Sequence, residues 1–192
     1  MALVVVGACV IVALMHNLGA APQPPGDELA TDQVPYGWQV SKDVGTTFTD
    51  GLNLVTVTPK ARGPLRLISA RPLMDEGGSV RVLGVLARVN PDMLPPGANV
   101  GSFQEGTGFP PAQPHAAGAV PIKGLKVQPP QQGESRWIEL QIGYEVVGLG
   151  RSVRRGVELV YEYEGAQHKA FIPSYVAVCA PAAITCAPEY DK

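Results

Sequence analysis

Residues 137–147 read WIELQIGYEVV, and within them Ile138, Leu140, Ile142, Tyr144 and Val146 alternate with Glu139, Gln141, Gly143 and Glu145. A period of two puts the first set on one face of an extended chain and the second on the other, as in a half-buried antiparallel strand. Residues 157–163, VELVYEY, repeat the pattern, with Val157, Leu159, Tyr161 and Tyr163 set against Glu158 and Glu162. Glu164-Gly165 then fits a two-residue hairpin turn, which pairs Tyr163 with Ala166, Tyr161 with His168 and Leu159 with Ala170 and keeps the apolar face continuous.

Outward from this hairpin, the same signals predict strands at Leu52–Thr58, Leu65–Arg71, Ser79–Val89, Trp137–Val147, Val157–Tyr163 and Gln167–Val178, with weaker ones near Tyr36–Val40 and Ala119–Val127. Leu67-Ile68 breaks the alternation, and Gly84 lies between Arg81 and Arg88 at an odd spacing, so a bulge or twist is expected there. No stretch beyond the amino terminus keeps a helical period. Short strands separated by turn signals predict an all-β fold, an immunoglobulin-like antiparallel β-sandwich over residues 46–180. Between Asn90 and Pro130 lie 41 residues with nine prolines and six glycines. That is too long for a plain loop, so it is either an ordered excursion packed over the sandwich or a mobile segment, and Phe103 and Phe109 give it something to bury.

The 192 residues suit one domain, and 22 glycines with 19 prolines suit a turn-rich β protein. A net charge of −2 leaves no basic field for nucleic acid, so no nucleic-acid partner is expected. Residues 1–21 hold an unbroken small and apolar run from Ala2 to Met15, which resumes weakly after His16-Asn17 and ends at Pro22. As a helix the whole segment reaches about 30 Å. It reads as a transmembrane anchor or a secretory signal. The missing basic start and the awkward exit at Pro22 favour the uncleaved anchor. Cys9, inside the run, reads as a buried membrane cysteine. Residues 22–45 begin Pro-rich and acidic, as a spacer does. The first base after the run is Lys42, behind Asp27, Glu28 and Asp32, and such a flank places the domain outside the cytoplasm, on a single-pass membrane protein or, alternatively, a secreted one. Cys179 and Cys186, in the tail that closes the domain, then form a disulfide, since their gap suits neither a zinc site nor a redox pair.

The runs GLNLVTVTPKARGPLRLISARPL, SVRVLGVLARV and GYEVVGLGRSVRRGVELVYEYEGAQHKAFIPSYVAVCAP, across residues 45–182, resemble uncharacterised exported or single-pass membrane proteins of actinobacteria with an Ig-like exterior domain. The resemblance implies that architecture and carries no catalytic residues.

Catalytic patterns are not found. His16, His115 and His168 lie at no metal-ligand spacing, and His168 opposite Tyr161 reads as a structural side chain. A copper site from Met74, Met93, His115 and His168 would suit an envelope protein, but its ligands are scattered. Gly148-Leu149-Gly150 starts like a phosphate loop and lacks its third glycine, lysine and helix, and Ser152 lacks the second glycine of a nucleophile elbow. Glu158, Glu162 and Glu164 fall on a solvated face. No cofactor, metal or catalytic residue is assigned. Arg151, Arg154 and Arg155 crowd the turn before Val157 and form a candidate contact for an anionic partner. The sequence thus predicts a non-enzymatic, membrane-anchored interaction or structural module of the cell envelope with a protein or cell-wall partner. A metal or glycan receptor is the alternative.

Overall fold

The strands of the computed structural model, which describes residues 21–31, 36–74, 78–90 and 105–187, are β1 (Leu29–Ala30), β2 (Tyr36–Ser41), β3 (Thr47–Val57), β4 (Leu65–Met74), β5 (Val80–Asn90), β6 (Glu105–Thr107), β7 (Val120–Pro121), β8 (Lys126–Val127), β9 (Arg136–Val146), β10 (Gly150–Tyr163) and β11 (Ala166–Ala180). One sheet has the order β1-β3-β9-β5-β7, and the other β2-β11-β10-β4-β8. β6 adds to β3 at Phe48–Asp50 and β1 at Thr56–Val57, so both occupy the edge that β9 leaves free.

The alternation read at 137–147 sets the core. Ile138, Leu140, Ile142, Tyr144 and Val146 of β9 are wholly buried and join Val157, Leu159, Tyr161, Ala170, Ile172, Val176 and Val178 of the other sheet in one cluster. Each such aliphatic side chain contributes roughly 1.5–3 kcal/mol. The chain is therefore an all-β protein of two sheets facing across one core.

The β10–β11 hairpin has the expected register, with Tyr163 opposite Ala166, Tyr161 opposite His168 and Leu159 opposite Ala170. Glu164 and Gly165 have φ of 49° and 81°, the left-handed pair that a tight hairpin matching strand twist demands. Both predicted irregularities are present as register shifts. Ile68 is skipped where Val160 pairs with Ser69 and Tyr161 with Leu67, and Leu83 is skipped between Val82 and Gly84.

Three features depart from the sequence reading. β10 begins at Gly150, so the supposed turn before Val157 is strand. The expected spacer is partly built into the fold: Gln23 bridges His168, β1 pairs with β3, and β2 pairs with β11 in parallel within an otherwise antiparallel arrangement. Buried Glu28, Leu29 and Trp38 hold this segment across the side of the sandwich. The anchor helix expected over residues 1–21 falls almost wholly outside the described residues, among which no helix is long and apolar enough to cross a membrane.

The third departure concerns the outer face of β9. Glu139 and Gln141 are as buried as the core, because residues 105–121 pack over them as an ordered excursion. Arg88 donates to the carbonyls of His115 and Ala117, and Gln141 Nε2 to His115 O at 2.8 Å. Phe109 lies in a notch made by Gly84 and Gly143, where a Cβ on Gly143 would fall 2.2 Å from Phe109 Cγ. Glycine there is required by close approach. Phe103 lies outside the described residues. Gly143→Ala should lower stability by about 1–3 kcal/mol. The penalty should nearly vanish in a Phe109→Ala background, as read by urea denaturation of the four proteins of the cycle.

Candidate functional site

Arg154 departs furthest from expectation. Val157, Leu159 and Tyr161 point inward, and strict alternation would send residue 155 inward and 154 outward. The ladder instead skips Arg155 between Arg154 and Gly156, against both β11 and β4. The extra residue reverses the phase. Arg154 and Ser152 are therefore buried, while Val153 packs outside with Ala177, Cys179 and Cys186.

A guanidinium cannot shed its charge, so its burial requires partners. Arg154 Nη1 donates to Asp50 Oδ2 at 2.5 Å and to the Tyr144 hydroxyl at 2.9 Å, and Nη2 donates to Asn53 Oδ1 at 2.8 Å. Asn53 Nδ2 in turn donates to Asp50 Oδ2, and Trp38 Nε1 to Asp50 Oδ1 at 3.1 Å. Trp38 and Arg154 come from one sheet, and Asp50, Asn53 and Tyr144 from the other. The network ties the two sheets across the core. Burial, with the neighbouring Asp50 carboxylate, pushes the Tyr144 phenol well above its ordinary range, so it stays a neutral donor and acceptor.

The sequence reading missed this cluster. Its signal was polar residues in inward phase: Phe48 and Asp50 share one parity, and Asn53 shares the other with Val55 and Val57. The skip in the β3–β9 ladder between Asp50 and Asn53 brings both into the core.

The three arginines taken together as an anionic contact are thus split. Arg154 is removed from that role by its burial. Arg151 is half-buried and donates from Nη2 to the Tyr175 hydroxyl at 2.6 Å, and Arg155 lies at the exposed bulge. A second buried pair, Arg88 Nε to Glu139 Oε2 at 2.6 Å, lies under the 105–121 excursion. At the hairpin end, Glu28 accepts from Tyr161, whose phenol burial and that hydrogen bond push up, and His168 stacks on Tyr161 at 5.4 Å with Nδ1 3.0 Å from Pro24 O. His168 is structural, as expected.

Met74 at the end of β4, His115 over β9 and His168 in the hairpin are in different parts of the fold, and Met93 lies outside the described residues. Among the described residues no metal-holding cluster of His, Cys, Asp or Glu occurs. Ser152 Oγ hydrogen-bonds Ser79 within the interior, and Gly148–Gly150 carries the chain from β9 in one sheet to β10 in the other. Glu158 and Glu162 face outward and pair with Arg71, Lys169 and Arg66. A shallow cleft of about 410 Å³ at the hairpin end is lined by Asp27, Glu28, Lys60, Arg62, Tyr163 and Glu164. There Lys60 bonds Asp27 and holds its carboxyl below the usual range.

The opposite end exposes large apolar side chains. Val44, Val147, Leu149 and Ile184 are 51%, 43%, 71% and 43% exposed. Hydrogen bonds gather their loops: Gly45 N to Val146 O, Val147 N to Ser79 O, Ala182 N to Asp43 Oδ1 and Ser41 Oγ to Ile184 O. The expected Cys179–Cys186 disulfide closes the last loop, with Cα atoms 5.4 Å apart.

No protein family model matches the chain, and no curated protein matches it. Among solved structures it is similar to the CooA pilin subunit of enterotoxigenic Escherichia coli, at 7% identity and a TM-score of 0.36 over 80% of this chain and 97% of that one. It is also similar to the CFA/I adhesin CfaE of enterotoxigenic E. coli, at 9% identity and a TM-score of 0.36 over 80% of this chain and 48% of that one. The third is the CupB6 tip adhesin of Pseudomonas aeruginosa, at 11% and 0.32 over 75% and 41%. At that level of superposition no residue role passes to this chain.

Asp50→Ala strands the Arg154 charge and should cost about 3–5 kcal/mol. Tyr144→Phe, which removes one hydrogen bond and keeps the ring, should cost about 1 kcal/mol. Guanidinium denaturation of both variants measures the difference.

Proposed function

We propose that the chain is a non-enzymatic interaction or structural module of the cell envelope: an immunoglobulin-like sandwich held outside the membrane by its amino-terminal segment. Two facing sheets of mostly antiparallel strands support the immunoglobulin-like reading. The disulfide suits an oxidising compartment, and the acidic flank before Lys42 supports the outward orientation.

The observation that carries the reading is the apolar tip. Four large apolar side chains on three loops share one end of the sandwich, held by hydrogen bonds and the disulfide. Clustered exposed apolar groups mark interaction sites, and a fixed patch loses little entropy on binding. β11 runs from the hairpin end to this tip, and Gln23 joins it in parallel near its start. Gln23 therefore lies toward the hairpin end, away from the tip. Arg151 and Arg155, on the outside of the sheet that leads to the tip, are the remaining candidates for an anionic contact beside it.

Cross-linking in native membranes tests the reading. The wild-type chain should yield a discrete cross-linked partner, and Val147→Lys with Leu149→Lys should lose it while melting at the wild-type temperature. An unchanged cross-link in that variant, or none in the wild type, would contradict a tip-borne interaction.

A further inference from the structure

Most of the described edge strands are short. β1, β7 and β8 have two residues each and β6 has three, with Pro121 in β7 and Lys126 in β8. Shortness, proline and lysine are the usual guards of an edge. β2 is the exception. It ends its sheet with six residues, Tyr36-Gly37-Trp38-Gln39-Val40-Ser41, without a charge or a proline.

The parallel ladder fixes which groups of β2 are turned outward. Lys42 N donates to Cys179 O, with Ser41 in register with Cys179. In such a ladder the N–H and C=O of one residue point the same way, and alternate residues point oppositely. Lys42, Val40 and Trp38 therefore turn their backbone groups toward β11. Gly37, Gln39 and Ser41 turn theirs away from it, and Gly37 and Gln39 are exposed.

We infer that β2 is a self-pairing edge, and that a second copy of this chain adds its own β2 to it in antiparallel register about a two-fold axis at Gln39. The hydrogen-bonded pairs are then Gly37 with Ser41 of the partner and Gln39 with Gln39, and Trp38 lies opposite Val40 of the partner as the intervening non-hydrogen-bonded pair. Two features favour a second copy over a foreign strand. The set Gly37, Gln39, Ser41 is symmetric about its middle residue, so one register satisfies every outward group. The side chains brought face to face are small or neutral, so the axis places no like charges opposite each other, a condition that a charged residue at 39 would break. Trp38 and Val40 stay in or against the core of their own copy, and the five-stranded sheets join into one continuous sheet.

The inference gives the proposed module a partner but rests on the β2 edge alone. Analytical ultracentrifugation of the full chain in mild detergent, from micromolar to millimolar protein, tests it. The wild type should show a concentration-dependent dimer. Gln39→Lys and Gln39→Glu, both at an exposed position, should each weaken it roughly fivefold. Mixing the two variants in equal amounts should restore it. Association through the amino-terminal segment or the tip would be untouched by either variant, so unchanged dimerisation in both overturns the inference. So does a wild type that stays monomeric throughout. Neither result bears on the tip, whose test uses Val147 and Leu149.

Discussion

Arg154 carries a permanent charge into the space between the sheets, and much of the rest follows from satisfying it. The charge requires Asp50 and Asn53 on the facing strand, and the Asp50 carboxylate in turn takes the indole proton of Trp38. Trp38 fixes β2 at the edge of its sheet. The Tyr144 hydroxyl fills a further donor position of the guanidinium. A buried ion pair contributes little net stability over an apolar core of the same volume, but it penalises every arrangement that separates its members. The network therefore acts on which faces meet and in which register, more than on how strongly they hold.

The second sheet surface is closed differently. An open outer face on β9 would leave Arg88, Glu139 and Gln141 in water, as simple alternation suggests. The excursion at 105–121 covers them with backbone carbonyls and wedges Phe109 against two glycines. Among the described residues this leaves one end with exposed apolar side chains, one end with a mixed-charge cleft, and a β2 edge strand without a charge or a proline. The buried charges are tied up within the fold.

Legibility in the sequence followed the regularity of the alternation. The β10–β11 hairpin was readable to the residue pair, because Glu164-Gly165 and an unbroken period of two leave a single register. Ile68 and Gly84 were readable as irregularities, since a break in parity has few other physical causes. Arg154 was misplaced for the same reason in reverse: one extra residue at Arg155 shifts the phase, and a run of arginines looks like a solvated turn until its partners are known. Those partners lie about a hundred residues away in β3, beyond any local pattern. Glu139 and Gln141 were misplaced because the cover over them comes from a Pro/Gly-rich stretch with no periodicity. The Cys179–Cys186 bridge was readable from the short gap between the cysteines taken with the expected export of the domain.

If Arg154 and Asp50 hold the two sheets as one unit, the sheets cannot open separately. Native-state hydrogen exchange measures this most directly. The amides of Val55 and Ile142 in one sheet and of Leu159 and Ile172 in the other should exchange through the same global opening, with equal free energies and equal denaturant dependence. The short strands β1, β6, β7 and β8 should exchange earlier. A lower-energy opening that exposes one sheet while the other stays protected would contradict the account.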